Sequence, residues 1–168
     1  MLTGFTHLVA GVGSTVAIYV NHPEWVKNFN EIGVFLGSFL GSLFPDIDSP
    51  TSKISTLVRN PFFGIFFSHR GFWHSLSAVI IVDFLFTFLL RFLMNIDFNF
   101  FVSFIIFFTM CYLLHIFFDM IGNKGVKLFY PFSKRSFSFP LTGWFKSRTP
   151  LEFLILLVYL LIVFEGLR

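Results

Sequence analysis

The few titratable side chains of this chain are concentrated in short motifs whose residue types suit metal chemistry. The motifs are TH at 6–7, FPDIDSP at 44–50, HRGFWHSL at 69–76 and HIFFD at 115–119. In the last motif, His115 and Asp119 are four residues apart, so a helix would place both side chains on one face. An imidazole nitrogen and a carboxylate oxygen at that spacing can hold one metal ion. The alternative is a structural histidine beside an ordinary acid at a helix end.

The second motif contains two acids that alternate around Ile47, directly after Pro45. In an extended stretch, the carboxylates of Asp46 and Asp48 would face the same way. An acid just past the C-terminus of a helix is disfavoured by the helix dipole, so a nearby cation would compensate it. The alternative is a solvated turn, because Pro, Asp and Ser are turn formers.

The third motif supplies two imidazoles and a guanidinium. His69 and His74 are too far apart for one helical face, but Gly71 between them predicts a bend that would aim both at one point. Arg70 could bind phosphate through its forked guanidinium, or it is a charge that only sets membrane topology. His7, taken alone, is more typical of a structural residue than of a ligand.

The composition favours a membrane as the solvent of this chain. Of its 168 residues, 55% are hydrophobic, and the mean hydropathy is +0.80, which is well above the ordinary soluble range. The net charge of +3 does not indicate nucleic acid, because basic loops are what membrane topology requires. Cys111 is the only cysteine, which excludes an internal disulfide and a CxxC metal site. We expect a single integral membrane domain over residues 1–168.

Apolar segments predict an all-α fold, a polytopic bundle of about four to five transmembrane helices. The expected helices cover residues 4–20, 31–44, 72–94, 98–118 and 151–165. A spanning helix needs roughly 20 mostly apolar residues, and the first two segments are rich in Gly and Ser, so whether they span fully stays open. Gly33, Gly37 and Gly41 predict a stripe of small residues that allows close helix packing.

The basic residues predict the orientation of this bundle. If all five helices span, the 45–71 and 119–150 loops lie on one side and carry nine of the twelve Lys and Arg residues. The positive-inside rule makes that side, and the N-terminus, cytoplasmic. Every candidate residue in the four motifs falls on this side. His22 falls on the opposite side and is excluded, whereas Asp83 lies deep in a predicted helix and is a candidate partner in an interhelical hydrogen bond.

This convergence predicts a metal site at the cytoplasmic face. The predicted ligands are His7, Asp46, His69, His74, His115 and Asp119. Mixed His and Asp ligands suit zinc, manganese or iron. We expect one or two divalent ions, zinc before manganese or iron, and two neighbouring ions would suit phosphoester hydrolysis.

The ordered motifs resemble the YdjM-like family of bacterial inner-membrane proteins, which are LexA-regulated, membrane-bound, predicted metal-dependent hydrolases. The resemblance covers nearly the whole chain, from the four motifs through GVKLFYPFSKRSFSFP at 125–140 to TG at 142–143 before Glu152. The chain has Ser49 where the family often has His, Trp73 where it usually has Thr, and Gly122 and Asn123 where it usually has Thr-Pro. Ser49 removes one candidate ligand. The resemblance implies a multi-pass protein of the bacterial inner (cytoplasmic) membrane.

The order His, Asp, His and HxxxD is also distantly similar to zinc-dependent phospholipase C and the related fungal zinc nucleases. Those proteins are helical and cut phosphoesters with clustered zinc ions. The likeness implies that the ligands are His7, Asp46, one of His69 and His74, His115 and Asp119. Because the chain shows no second HxxxE, a centre of three metal ions is not expected.

We therefore predict a metal-dependent hydrolase of a phosphoester or phosphoanhydride, with a lipid headgroup as the natural substrate. A metal ion lowers the pKa of a bound water toward ~7, which makes that water a nucleophile. Asp48 or Asp46 would orient the water or accept its proton, and Arg70 would stabilise developing negative charge. The basic stretch from Lys124 to Arg148 would contact anionic phospholipid, unless it only sets topology.

Two other classes of function remain open. The metal could be structural, tying helix ends together in a non-enzymatic membrane stress or remodelling protein. Alternatively, the chain could be a transporter that uses Asp83 and the clustered acids, although only this one acid lies mid-span. The oligomeric state is not predicted.

Overall fold

The computed structural model describes residues 4–48, 71–121, 125–139 and 150–166. Its helices are α1 (Gly4–Asn21), α2 (Pro23–Val26), α3 (Glu31–Leu43), α4 (Leu76–Thr87), α5 (Phe98–Met120) and α6 (Pro150–Gly166). Short 3₁₀ helices at Phe44–Asp48 and Phe72–His74 follow α3 and precede α4, and α4 continues as a π-helix over Phe88–Leu93. Within these ranges there is no strand, only an isolated bridge between Val126 and Phe137. The all-helical prediction is confirmed.

Four of the five predicted helices begin and end within two residues of their expected bounds. The helix expected from residue 72 is the exception, because α4 begins at Leu76 after a separate 3₁₀ turn. Ser75 causes this break, since its hydroxyl accepts a hydrogen bond from the Ala78 N–H and so caps the new helix.

Among the described residues, two helical segments are long and apolar enough to cross a membrane. They are Leu76–Leu93, with 18 residues, and Phe98–Met120, with 23. The apolar part of α6, Leu156–Gly166, is shorter. Length and composition thus support α4 and α5 as spans, whereas the predicted total of four to five spans stays a prediction.

Helices α3 and α5 pack at close range through the predicted stripe of small residues. A Cβ atom added at any of the three glycines would collide with a backbone carbonyl oxygen of α5: Gly33 with Phe100, Gly37 with Phe104 and Gly41 with Phe108. The absence of side chains on this face of α3 therefore lets the two backbones touch, as the spacing predicts.

Hydroxyl groups join the remaining helices to this pair. Thr15 of α1 and Ser38 of α3 share a hydrogen bond of 2.8 Å, and Ser14 of α1 pairs with the Tyr159 hydroxyl of α6 at 2.7 Å. The Tyr112 hydroxyl of α5 donates to the carbonyl oxygen of Trp73, 2.8 Å away, just before α4. Near the same end of α5, His115 contacts the Ser42 carbonyl of α3 and Asp119 lies 3.5 Å from His7 of α1. The start of α1, the end of α3, the start of α4 and the end of α5 therefore meet at one end of the bundle.

Candidate metal site

Five buried His and Asp side chains from four segments of the chain meet at this end of the bundle. They are His7 of α1, Asp46 of the turn after α3, His74 of the turn before α4, and His115 and Asp119 of α5. Taken as whole residues, none of the five is more than 3% exposed. They form two groups of three that share His115, and within each group the candidate ligand atoms all lie within 4.8 Å of one another. We call these five residues the His/Asp cluster.

Asp119 lies at the centre of the cluster. Its Oδ1 is 3.5 Å from Nε2 of His7, and its Oδ2 is 3.1 Å from Nε2 of His74. The same Oδ2 is 4.0 Å from Nε2 of His115, its neighbour at i−4, so the two do share one face of α5 as the spacing predicts. On the other side, Oδ1 of Asp46 is 3.8 Å from Nε2 of both His74 and His115.

The protonation of His115 is determined by a backbone contact. Its Nδ1 lies 2.7 Å from the carbonyl oxygen of Ser42, and because a carbonyl can only accept, Nδ1 carries the proton. In the neutral form of the ring, Nε2 is the nitrogen with the lone pair, and it faces the carboxylates of Asp46 and Asp119. It makes no hydrogen bond to a described residue. A histidine that binds a metal through one ring nitrogen usually donates the N–H of its other ring nitrogen to a carboxylate, a backbone carbonyl or water.

His7 packs against His115 rather than being held by hydrogen bonds. Their ring centroids are 3.7 Å apart and the rings are nearly parallel, at 11°. Neither ring nitrogen of His7 has a hydrogen-bond partner in the described part of the chain, and its nearest carboxylate oxygen, on Asp119, is beyond good hydrogen-bond range. A buried polar atom left without a partner costs about 1–3 kcal/mol. The described residues therefore do not show His7 as a structural histidine held by hydrogen bonds.

The donor set fits a divalent cation. Two carboxylates and three imidazoles supply the oxygen and nitrogen atoms that divalent cations bind in proteins. Bonds of about 2.0–2.1 Å in a tetrahedral site place neighbouring ligand atoms about 3.3 Å apart. Five nitrogen–oxygen separations in the cluster lie between 3.1 and 4.0 Å and bracket that value. Mixed nitrogen and oxygen ligands do not choose among zinc, manganese and iron.

One premise about the FPDIDSP motif is wrong. Residues 44–48 form a 3₁₀ helix rather than an extended stretch, so alternation does not place Asp46 and Asp48 on a common side. Asp46 reaches the cluster through this turn instead. The side chain of Asp48 lies outside the described residues, as do His69 and Arg70.

Two other polar residues lie where the sequence pattern predicts. His22 is at the opposite end of α1, where it stacks on Trp25 with ring centroids 4.0 Å apart. Asp83 is a residue of α4, and its Oδ2 accepts a hydrogen bond of 2.8 Å from the Thr109 hydroxyl of α5. The predicted interhelical hydrogen bond of Asp83 is thus confirmed.

Residue types cannot reveal the parts of the site that the backbone supplies. Ser42 contributes its carbonyl oxygen, and Trp73 contributes the carbonyl that holds the turn before His74. Any residue has such a group, so no side-chain signal marks either position. The small residues of α3 next to Ser42 are the nearest sequence clue.

The comparison with protein families confirms the resemblance seen in the motifs. A family model described as YdjM inner membrane protein matches residues 1–167, a range that contains the whole His/Asp cluster. Comparisons with curated proteins and with solved structures gave no match. The distant likeness to zinc-dependent phospholipase C therefore stays a prediction.

Proposed function

Because the chain belongs to the YdjM inner membrane protein family and gathers five metal-ligating side chains in one buried site, we propose that it is a metal-dependent hydrolase. Its substrate would be a phosphoester or phosphoanhydride, such as a lipid headgroup, at the cytoplasmic face of the bacterial inner membrane. The observation that carries the metal is the Nε2 lone pair of His115, directed at two buried carboxylates.

The proposed metal ligands are the five residues of the His/Asp cluster together with His69. Two overlapping groups that share His115 suit one ion or two neighbouring ions. Zinc accepts this mixture of nitrogen and oxygen ligands, and manganese and iron are the alternatives. The bound metal would act as a Lewis acid and activate a water molecule.

The chain's own residues would orient the reacting groups, accept a proton and stabilise charge. Ser42 holds the ring of His115 in one tautomer, and Asp119 lies between His7 and His74. We propose that Asp48 or Asp46 accepts a proton and that Arg70 stabilises developing negative charge. The guanidinium of Arg70 suits a substrate that carries phosphate.

The proposed topology has four to five spans with the cluster on the cytoplasmic side. α4 and α5 would be full spans, and α1, α3 and α6 would complete the bundle. At 1.5 Å per residue, the 18 residues of α1 reach about 27 Å, close to the ~30 Å of a hydrocarbon core. The loops rich in Lys and Arg set the orientation.

One observation favours a second candidate, a non-enzymatic membrane stress or remodelling protein with a structural metal. All five residues of the cluster are buried, with at most 3% of any residue exposed, and closed sites are typical of structural metals. A catalytic metal keeps an open or water-occupied position, so spectroscopy of a cobalt-substituted protein with an added phosphate ion separates the candidates. Phosphate would change the spectrum of an open site and leave that of a closed site unchanged.

Elemental analysis of detergent-purified protein tests the metal. Near-stoichiometric zinc, manganese or iron is expected in the wild type and is expected to be absent from His115→Ala and Asp46→Ala. His22→Ala is the matched control, because His22 is at the opposite end of α1. Folded wild type that binds no metal after supplementation would overturn the proposal. With metal established, hydrolysis of a chromogenic phosphodiester and phosphomonoester tests the reaction.

A further inference from the structure

Residues 125–139 form a closed loop at the end of the bundle that carries the His/Asp cluster. We call them the aromatic loop. Val126 and Phe137 exchange two backbone hydrogen bonds of 2.9 and 2.8 Å, which join the two ends of the loop. At its tip, the Tyr130 N–H donates to the carbonyl of Lys127, and the Ser133 N–H donates to that of Phe129. The tip is therefore an ordered turn.

The aromatic loop is hydrogen-bonded to both of the described helical segments that could cross a membrane. The Leu76 N–H at the start of α4 donates to the carbonyl oxygen of Leu128 at 2.9 Å. The Phe139 N–H donates at 3.0 Å to the carbonyl oxygen of Met120, the last residue of α5. Since these are the ends of two segments that are long and apolar enough to cross a membrane, the proposed topology places the loop at the boundary of the bilayer.

The tip of this loop exposes aromatic side chains among basic ones. Phe132 is 90% exposed and Phe129 is 46% exposed. Lys127, Lys134 and Arg135 flank them, and residues 125–139 contain no acid. An exposed aromatic pair that is flanked in the sequence by basic residues suits the layer between phospholipid headgroups and acyl chains.

We propose that the tip inserts Phe129 and Phe132 into the cytoplasmic leaflet, and that Lys127, Lys134 and Arg135 bind the phosphate groups of anionic phospholipids. Each basic residue near an anionic surface strengthens such a contact, and the effect is confined to a Debye length. The loop would hold the His/Asp cluster at the level of the headgroups and concentrate anionic lipid beside it. The inference rests on the membrane topology of the proposed function and does not require hydrolysis.

Site-directed fluorescence in nanodiscs tests the position of the tip. The full chain carries Cys111→Ala and Phe132→Cys, and the new cysteine is labelled with a fluorophore sensitive to polarity. Nanodiscs contain phosphatidylcholine alone or with phosphatidylglycerol. We expect blue-shifted emission, quenching by spin-labelled acyl chains and protection from iodide. Ser136→Cys, an exposed position on the stem of the loop, is the matched control and should be quenched more by iodide.

Lipid co-purification tests the basic residues in the unlabelled protein. A variant with Gln at positions 127, 134 and 135 should retain several-fold less phosphatidylglycerol relative to phosphatidylcholine than the wild type. Lys27→Gln, on the other side of the proposed bundle, should retain the wild-type ratio. Iodide quenching at position 132 in both lipid mixtures would overturn insertion and leave the tip as a surface for a soluble partner. An unchanged lipid ratio would overturn the anionic contact.

The metal-site variant His115→Ala separates this inference from the proposed hydrolase. If the tip is quenched by lipid in His115→Ala as in the parent protein, insertion stands whether or not metal or activity is found. If His115→Ala lost both the metal and the insertion of the tip, the result would contradict a tip that anchors the protein independently of the metal site.

Discussion

The carbonyl oxygen of Ser42 and the Nδ1 atom of His115 lie 2.7 Å apart, and this contact joins the packing of α3 against α5 to the chemistry of the His/Asp cluster. Ser42 follows Gly41, whose missing side chain lets α3 touch the backbone of α5 at Phe108. The close approach of the helices therefore determines which nitrogen of His115 is free to bind a metal.

Adding one methyl group at Gly41 should disturb the metal site without touching a ligand. The Cβ of Gly41→Ala would collide with the Phe108 carbonyl, and overpacking typically costs about 1–3 kcal/mol. We expect a lower unfolding temperature and weaker metal binding, measured by thermal denaturation and metal titration in detergent. Gly166→Ala is the control, since nothing lies within 4 Å of that position. Equal behaviour of the two variants would contradict the link between helix packing and metal binding.

Replacing Asp119 by Asn should abolish metal binding more completely than any other Asp→Asn change in the described region. Its two oxygens face three imidazoles, and an amide cannot supply the negative charge that compensates a divalent cation. Asp83→Asn has the same shape change but lies beside Thr109, so it should keep the metal. Metal content of the two purified variants provides the measurement. Retention in Asp119→Asn would mean that the ion is bound elsewhere.

Metal should stabilise the folded wild type and fail to stabilise His7→Ala. A ligand at 100 times its dissociation constant adds about 2.7 kcal/mol to the free energy of unfolding. We expect the unfolding temperature to rise with added zinc and to fall again with a chelator. The His7→Ala variant loses one ligand and should show little of this rise. Similar stabilisation of both proteins would exclude His7 as a ligand.

The hydrogen bond between Thr109 and Asp83 should contribute to stability and not to hydrolysis. Thr109→Val removes the hydroxyl that donates to Asp83, and hydrogen bonds between membrane helices are worth about 0.6 kcal/mol on average. Thr109→Ser keeps a hydroxyl donor and should lose less of the free energy of unfolding. Unfolding in denaturing detergent measures the difference.

If Asp83→Asn abolishes the cellular function while Asp46→Asn preserves it, the transporter alternative gains support over the hydrolase.

Arg70 separates the enzymatic proposal from the structural one. Under the hydrolase proposal, Arg70→Ala should keep the full metal content and lose most of its kcat, because the guanidinium stabilises charge that develops during the reaction. Steady-state rates with a phosphodiester substrate, normalised to bound metal, measure this effect. A protein that holds its metal tightly, hydrolyses nothing and shows no open coordination position would instead be the structural metalloprotein.

Composition and local periodicity were enough to predict most of the fold. An excess of apolar residues identifies the membrane class, and runs of them locate helices, since both features depend on neighbouring positions alone. The spacing of Gly33, Gly37 and Gly41 likewise predicts a close helix contact. The i and i+4 spacing of His115 and Asp119 predicts their shared face. These predictions hold because each involves one helix or one local pattern.

Tertiary packing alone decided the geometry of the site. The stacking of His7 on His115 joins residues more than a hundred positions apart, and no local pattern encodes it. The Ser42 carbonyl uses a backbone group that every residue has. The turn at 44–48 is a 3₁₀ helix, although its Pro and Asp residues suit several kinds of turn. Residue types could therefore predict candidate ligands, but only the contacts between helices determined which of their atoms face one another.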